Sequence, residues 1–283
     1  MSLSWIWIDR QDMLESACNE LSTFDTIAID TEYNSLHYFK EKLCLIQVRS
    51  ARQTYLIDPF AFPSLEPLEK IFANPQILKV FHAGDNDIRI IKRDYDCSFN
   101  NIFDTQRAAS LLGHHFLSLE TLIQEYLPVD FKKRKKTQRS RWEVRPLTEE
   151  QLDYASDDTI YLIPLYQALK EKLLQKERYN EAQNIFLGMT GVTWREKIFN
   201  PVGYRRFSGY RDLDDHQKRR LKRLYRWRHD KARTTDRAAF MIAKDELLLA
   251  IARLDPAMSL PSDQAFSRVF SRYLHELIPL LQE

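Results

Sequence analysis

The sequence predicts a mixed α/β domain followed by a small all-helical bundle. Three observations carry this. Residues 26–32, 43–49 and 54–58 are apolar and β-branched, and little but turns separates them, which favours antiparallel pairing. From about residue 65, segments at helical spacing alternate with one more apolar strand, residues 77–83, as expected of helices around a mixed sheet. Beyond about residue 203 no strand pattern recurs. There Leu221, Leu224 and Tyr225, then Phe266, Val269, Phe270, Tyr273, Leu274 and Leu277, fall at helical spacing.

Each element has a local reason. Residues 9–21 read as an opening helix. In the strand over residues 26–32, Ile27 and Ile29 share a face. Residues 65–72 and 85–92 read as helices, as do 104–112 with Asp104 as N-cap and 118–125. Residues 148–174 read as one long helix. Thr148 and Gln151 have capping-box spacing at its start, and Pro164 kinks or interrupts it. Residues 213–231, 244–254 and 264–281 complete the bundle. Four of the six glycines lie between residues 188 and 209. The expected division is a first domain over 1–190, a linker over 191–209 and a helical domain over 210–283.

Composition excludes several classes. A 44% hydrophobic chain with 6 Gly and 11 Pro is neither disordered throughout nor low-complexity. Cys18, Cys44 and Cys97 have neither metal-ligand nor redox spacing, and they read as reduced thiols of a cytoplasmic protein. No apolar run approaches the roughly 18 residues that a membrane span needs, and the first 20 residues do not read as a signal peptide.

The net charge of +2 conceals a strong asymmetry. Residues 1–130 carry a net of −8, residues 131–147 a net of +7, residues 148–191 a net of −4 and residues 192–253 a net of +9. The two basic blocks are interleaved with Trp142, Trp194, Tyr204, Phe207, Tyr210, Tyr225 and Trp227. Basic stretches mixed with aromatics point toward nucleic acid.

The acids carry the chemistry. Asp30 and Glu32 stand two apart at the end of an apolar strand, so they share a face, and two carboxylates that close require a cation or a proton. A second strand runs into His82-Ala83-Gly84-Asp85-Asn86-Asp87, whose acids open the next helix. Tyr154 and Asp158 are i and i+4 on the long helix, while Asp157 points elsewhere. Acid pairs at strand ends and on one helix are what a two-metal phosphoryl-transfer site requires, because hard divalent cations take carboxylate oxygens.

With these residues in view, the chain resembles the ribonuclease D family, in the tyrosine subclass of the DEDD superfamily of 3′-to-5′ exonucleases. The resemblance rests on Asp30-Thr31-Glu32, on His82-Ala83-Gly84 with Asp87, on Phe103-Asp104-Thr105-Gln106 and on Tyr154 with Asp158. It extends through Gln138-Arg139-Ser140-Arg141-Trp142 and Arg145-Pro146-Leu147. It implies an RNase H-like fold and two divalent cations, Mg²⁺ or Mn²⁺. Asp30, Glu32 and Asp158 would hold the first ion, and Asp30 with Asp87 the second. Tyr154 would orient the attacking water, and the product would be a 5′-mononucleotide. Asp85 competes with Asp87 for its role. The implied partner is an RNA 3′ end, such as a tRNA precursor; a DNA end, a short oligonucleotide or a non-catalytic RNA-binding role is the alternative. Oligomeric state is not readable.

Further residues are expected at the substrate: Tyr33 for base stacking or for the core, His82 at the substrate or structural, and Arg139 and Trp142 in a basic loop on phosphates. Lys132, Lys133, Arg134, Lys135, Lys136 and Arg141 belong to that loop. Gln47, polar within an apolar strand, reads as a satisfied structural amide. The C-terminal part resembles the helicase-and-RNase-D C-terminal (HRDC) domain through Leu221, Leu224, Trp227-Arg228, Ala232, Asp236-Arg237-Ala238 and Lys244-Asp245. Ala238 replaces the usual proline. This implies an accessory nucleic-acid-binding module.

Overall fold

The computed structural model describes residues 5–254 and 264–282, apart from positions 133 and 197. It divides into two compact units, one holding residues up to 34 with 42–195, the other 35–41 with residues from 196 onward.

The first unit is built on a six-stranded sheet with order β1-β4-β3-β2-β5-β6. Its strands are Trp5–Ile8 (β1), Thr26–Asn34 (β2), Lys42–Arg49 (β3), Thr54–Ile57 (β4), Leu78–Phe81 (β5) and Ile102–Asp104 (β6). β2, β3 and β4 pair antiparallel, as expected from their short connections. β1 lies parallel to β4, and β5 and β6 extend the sheet in parallel beyond β2. The short edge strands β1 and β6 were not expected. Residues 9–21 yield a helix beginning only at Gln11 (α1, Gln11–Leu21), because the residues before it pair with β4. Asp104 ends β6 and caps the next helix, accepting from the Arg107 N–H at 2.8 Å.

The helices of this unit continue as Glu66–Ala73 (α2), Asp85–Tyr95 (α3), Thr105–Leu112 (α4), Leu119–Tyr126 (α5), Lys135–Gln138 (α6), Glu149–Ile160 (α7), Leu162–Gln175 (α8) and Tyr179–Thr190 (α9). The long helix expected over 148–174 is two helices. Pro164 has no N–H to offer the carbonyl four residues back, so the break falls one turn earlier, at Tyr161. The capping box of Thr148 and Gln151 is present. One core joins the sheet to α1, α2, α3, α4, α5, α8 and α9 through Leu14, Ile27, Phe72, Ile88, Ala109, Leu122, Leu165 and Phe186. A smaller cluster on the other face joins Cys44, Leu45 and Leu56 to Trp142, Leu152, Tyr154 and Ala155. Cys18, Cys44 and Cys97 are free and buried, and burial pushes each thiol up to about 12, so none is a reactive thiolate.

The second unit contains Asp215–Thr234 (α10), Ala239–Ile242 (α11), Asp245–Arg253 (α12) and Gln264–Gln282 (α13), with a break at Tyr273 inside the last. Asp214 and Gln217 form a capping box at the start of α10. The core holds Leu221, Leu224, Leu248, Ile251 and Leu277 together with Tyr204 and Phe207. Those two aromatics stand in the stretch expected as linker, so a glycine-rich segment here folds into the bundle. The side chains of Phe266, Val269 and Phe270 lie outside the described residues. Arg228, 6% exposed, donates to the Ala243 carbonyl at 2.9 Å and to Asp245 at 2.6 Å. The Trp-Arg and Lys-Asp pairs of the motif are therefore joined by an ion pair whose arginine is buried and whose aspartate is half-exposed. Arg228→Leu should lower the stability of this unit by about 1–3 kcal/mol, the range for a lost hydrogen bond to a charged group, as read by urea unfolding.

Candidate active site

The site forms where the β2–β3–β4 face meets α7. Asp30 and Glu32 are two apart on β2 and point to the same face. The register shifts between Glu32 and Tyr33, a bulge that interrupts the pairing beside the acids before it resumes at Tyr33 and Leu43. α7 crosses this face and carries Tyr154 and Asp158 one turn apart. Carboxylate oxygens of Asp30, Glu32 and Asp158 lie within 4.8 Å of one another. Glu32 and Asp158 are buried, and Tyr154 is 2% exposed. The donor set is all oxygen and all anionic, which fits a hard divalent cation and neither a soft metal nor an organic cofactor.

The four acids and Tyr154 line one cleft of about 640 Å³, which Tyr33, His82, Gln106 and Gln138 also line. Asp87 sits in the first turn of α3, is buried, and accepts from the Thr31 hydroxyl. It is not part of the close carboxylate triad. Burial pushes its carboxyl up to about 6, the Thr31 hydroxyl pulls it down, and Asp104 adds repulsion. Asp85, its competitor, is turned to Arg107 at 2.6 Å and does not line the cleft.

The turn that delivers Asp87 is held by buried polar bonds. Ala83 has φ of 59°, a left-handed conformation that L-residues rarely take. A Cβ on Gly84 would come within 2.6 Å of the Phe81 Cβ, so glycine is needed for this close approach. The Gly84 N–H donates to Asp104 at 2.9 Å. The Thr105 hydroxyl donates to the Phe81 carbonyl at 3.1 Å, which leaves its oxygen to accept from His82 Nδ1 at 2.9 Å. His82 therefore bonds to the fold through one nitrogen while its ring lines the cleft. Asp104 and Thr105 were legible only as a cap and part of a motif, and their job of pinning this turn was not.

Tyr154 is held as the neutral phenol by its environment. Burial, then the charges of Asp158 and Glu32, hold its phenol far above the ordinary value. Behind it lies Trp142, expected at the substrate. Trp142 is 2% exposed, its ring centroid is 5.9 Å from that of Tyr154, and its Nε1 donates to the Gln138 carbonyl. It has no open face for a base, so it is a prop for Tyr154, not a stacking platform. Arg139 is exposed on the same loop but is not among the residues lining the cleft. Tyr33 lines the cleft, and its hydroxyl accepts from Asn86 at 3.3 Å.

The basic block is only partly a phosphate surface. Arg134 pairs with Asp157 at 2.5 Å and Arg141 with Glu143 at 2.8 Å. Arg145 donates to both Asp58 oxygens and to the Cys44 and Trp142 carbonyls. Arg145 thus ties the loop to the sheet, Arg134 ties it to α7, and Arg141 is paired within the loop. Lys136 and Arg139 remain exposed, Lys133 lies outside the described residues, and so does the side chain of Lys135. Gln47 is a second departure: it is fully buried, yet among the described residues neither amide atom has a hydrogen-bond partner.

Three converging carboxylates on a mixed sheet, backed by a fourth and a buried tyrosine, define a carboxylate metal-site class of protein. Comparison with known proteins specifies it further. A family model described as 3′-5′ exonuclease matches residues 5–174, and one described as HRDC domain matches residues 217–259. The ribonuclease D of Shewanella sp. (strain ANA-3) is 33% identical over 81% of this chain and 59% of its own length. The exosome complex component 10 homolog of Caenorhabditis elegans is 30% identical over 88% of this chain and 29% of its own length. The crystal structure of Escherichia coli RNase D, described as an exoribonuclease involved in structured RNA processing, superimposes with a TM-score of 0.72. That match is 27% identical and covers 99% of this chain and 75% of the other. The chain thus belongs to the 3′-5′ exonuclease family, in its ribonuclease D group, with an HRDC domain following. It spans 29% of the length of the exosome component homolog and 59% of that of the ribonuclease D.

The buried state of Asp87 has a measurable consequence in metal-free protein. An unfolded aspartate titrates near 4, so the fold binds a proton that the unfolded chain has released, and stability falls as pH rises from about 4 to about 6. The gap is about two pH units at roughly 1.4 kcal/mol each. Urea unfolding in EDTA should therefore show Asp87→Asn gaining about 2–3 kcal/mol on wild type between pH 4 and pH 7. A difference that stays constant with pH contradicts this account of Asp87.

Proposed function

We propose that this chain is a metal-dependent 3′-5′ exoribonuclease that removes 5′-mononucleotides from RNA 3′ ends. The observation that carries the reading is the triad of Asp30, Glu32 and Asp158, whose oxygens converge within 4.8 Å in a cleft that Asp87 and Tyr154 also line. Asp30, Glu32 and Asp158 would hold one divalent cation, and Asp30 with Asp87 a second, the Asp87 contact direct or through water. When bound, Mg²⁺ or Mn²⁺ supplies an activated water and charge stabilisation at the leaving oxygen.

The protein's own part is positioning. Tyr154 keeps its proton, because burial and the neighbouring carboxylates oppose the phenolate. It therefore orients the attacking water as a hydrogen-bonding group and is not the base. Tyr33 and His82 contribute cleft walls for the terminal nucleotide. The RNA assignment is supported by the ribonuclease D relative and by the structured-RNA role stated for the Escherichia coli protein. The net of +9 over residues 192–253 supports a nucleic-acid contact for the HRDC domain. Among the described residues no helix is long and apolar enough to cross a membrane.

The test is a time course on matched 5′-labelled RNA and DNA oligonucleotides with single-stranded 3′ tails, in Mg²⁺, Mn²⁺ and EDTA. RNA should shorten from its 3′ end only with metal. Asp30→Asn should abolish the ladder, and Tyr154→Phe should lower kcat by about 10²-fold, the cost of a misplaced reactant. Faster shortening of DNA would move the substrate to DNA ends. Tight binding with no shortening would make the chain a binding module.

A further inference from the structure

The buried amide of Gln47 is an anomaly that the reaction as described does not use. Gln47 lies in the middle of β3, is fully buried, and neither its Nε2 nor its Oε1 has a hydrogen-bond partner among the described residues. An orphaned buried amide atom costs about 1–3 kcal/mol, so both would be expected to find a partner in some state of the protein.

Its position identifies the state. Gln47 is the register partner of Asp30 across the antiparallel β2–β3 pair. Residues directly opposite share a face, with Cβ atoms about 4.5–5.5 Å apart. On its other side Gln47 is opposite Leu56 of β4, which clusters with Tyr154 and Ala155. The amide therefore lies on the face that α7 covers and beside a carboxylate of the triad. Gln47 is thus the direct register neighbour of an acid assigned to the metal.

We propose that Gln47 is a positioning residue for the metal-holding arrangement of Asp30: with a divalent cation bound, one Asp30 oxygen faces the ion and the other accepts a hydrogen bond from Gln47 Nε2. This rests on the metal reading of the acid cluster. The physical logic is that a carboxylate drawn toward a cation needs its remaining lone pairs directed, and a buried neutral amide does so without adding charge. Partners of this kind typically account for 10–100-fold in metal affinity. In the metal-free protein the same amide is a buried polar group with nothing to bond, and it weighs against the fold. Gln47 would then oppose stability in one state and support it in the other.

That opposition gives a test independent of turnover. Gln47→Met, which keeps length and removes both polar atoms, is compared with wild type by thermal unfolding in EDTA and by calorimetric titration with Mn²⁺, using the full chain. The expected result is an EDTA midpoint raised by about 2–6 °C, together with Mn²⁺ affinity weakened about 10–100-fold. A structural amide would instead lower the EDTA midpoint and leave Mn²⁺ affinity alone, and that outcome overturns the proposal. An affinity within twofold of wild type also overturns it, as does a variant that fails to fold, since removal of an orphaned group should not destabilise the metal-free state. If wild type itself takes up no Mn²⁺, the metal reading fails first, and the two failures are distinguished by that control.

Discussion

Three carboxylates with oxygens within 4.8 Å repel one another, and the packing of α7 across the sheet is what holds them there. At an effective dielectric near 20, two charges at that separation cost about 3–4 kcal/mol. The offsetting forces sit in the same neighbourhood. Leu152 and Ala155 bury themselves against Leu45 and Leu56, and Trp142 fills the space behind Tyr154. The capping box at Thr148 fixes where α7 begins, and the Arg145–Asp58 pair ties the preceding loop to the sheet. An apolar seam is thus used to force polar groups together, which leaves the cluster with a standing demand for positive charge.

The contacts that hold Asp87 and its turn are hydrogen bonds from a hydroxyl and a backbone amide, not from a cation. Asp87 is steadied by a threonine hydroxyl, and the turn before it by backbone amides and Asp104. The nearby arginines are spent elsewhere, Arg107 on Asp85, Arg134 on Asp157 and Arg145 on Asp58. A guanidinium directed into the triad would neutralise it and compete with a metal. The basic block read from composition as a phosphate-gripping loop therefore contributes several of its cations to holding the loop in place. Lys136 and Arg139 are exposed and are left for other work.

Much of this site was legible because two periods locate it. Period two puts Asp30 and Glu32 on one face of a strand, and i to i+4 spacing stacks Tyr154 over Asp158. What escaped was set by tertiary context. β1 and β6 are four and three residues long, too short for any periodicity, and appear only through pairing with β4 and β5. Trp142 in a run of basic residues has the composition of a nucleic-acid contact, and only the position of α7 turns it inward. Tyr204 and Phe207 lie in a glycine-rich stretch that reads as a connection, yet they pack into the helical unit. Gln47 stands out as polar within an apolar strand and reads as satisfied, because a buried glutamine looks the same in sequence whether or not it has found a partner.

The most direct measurement of the central claim is anomalous diffraction from crystals of the full chain soaked in Mn²⁺. The account predicts a Mn²⁺ peak within coordination distance, about 2.0–2.6 Å, of oxygens from Asp30, Glu32 and Asp158. In Asp158→Asn crystals that peak should weaken or vanish. A Mn²⁺ site elsewhere on the surface, with the triad empty at saturating ion, would contradict the account.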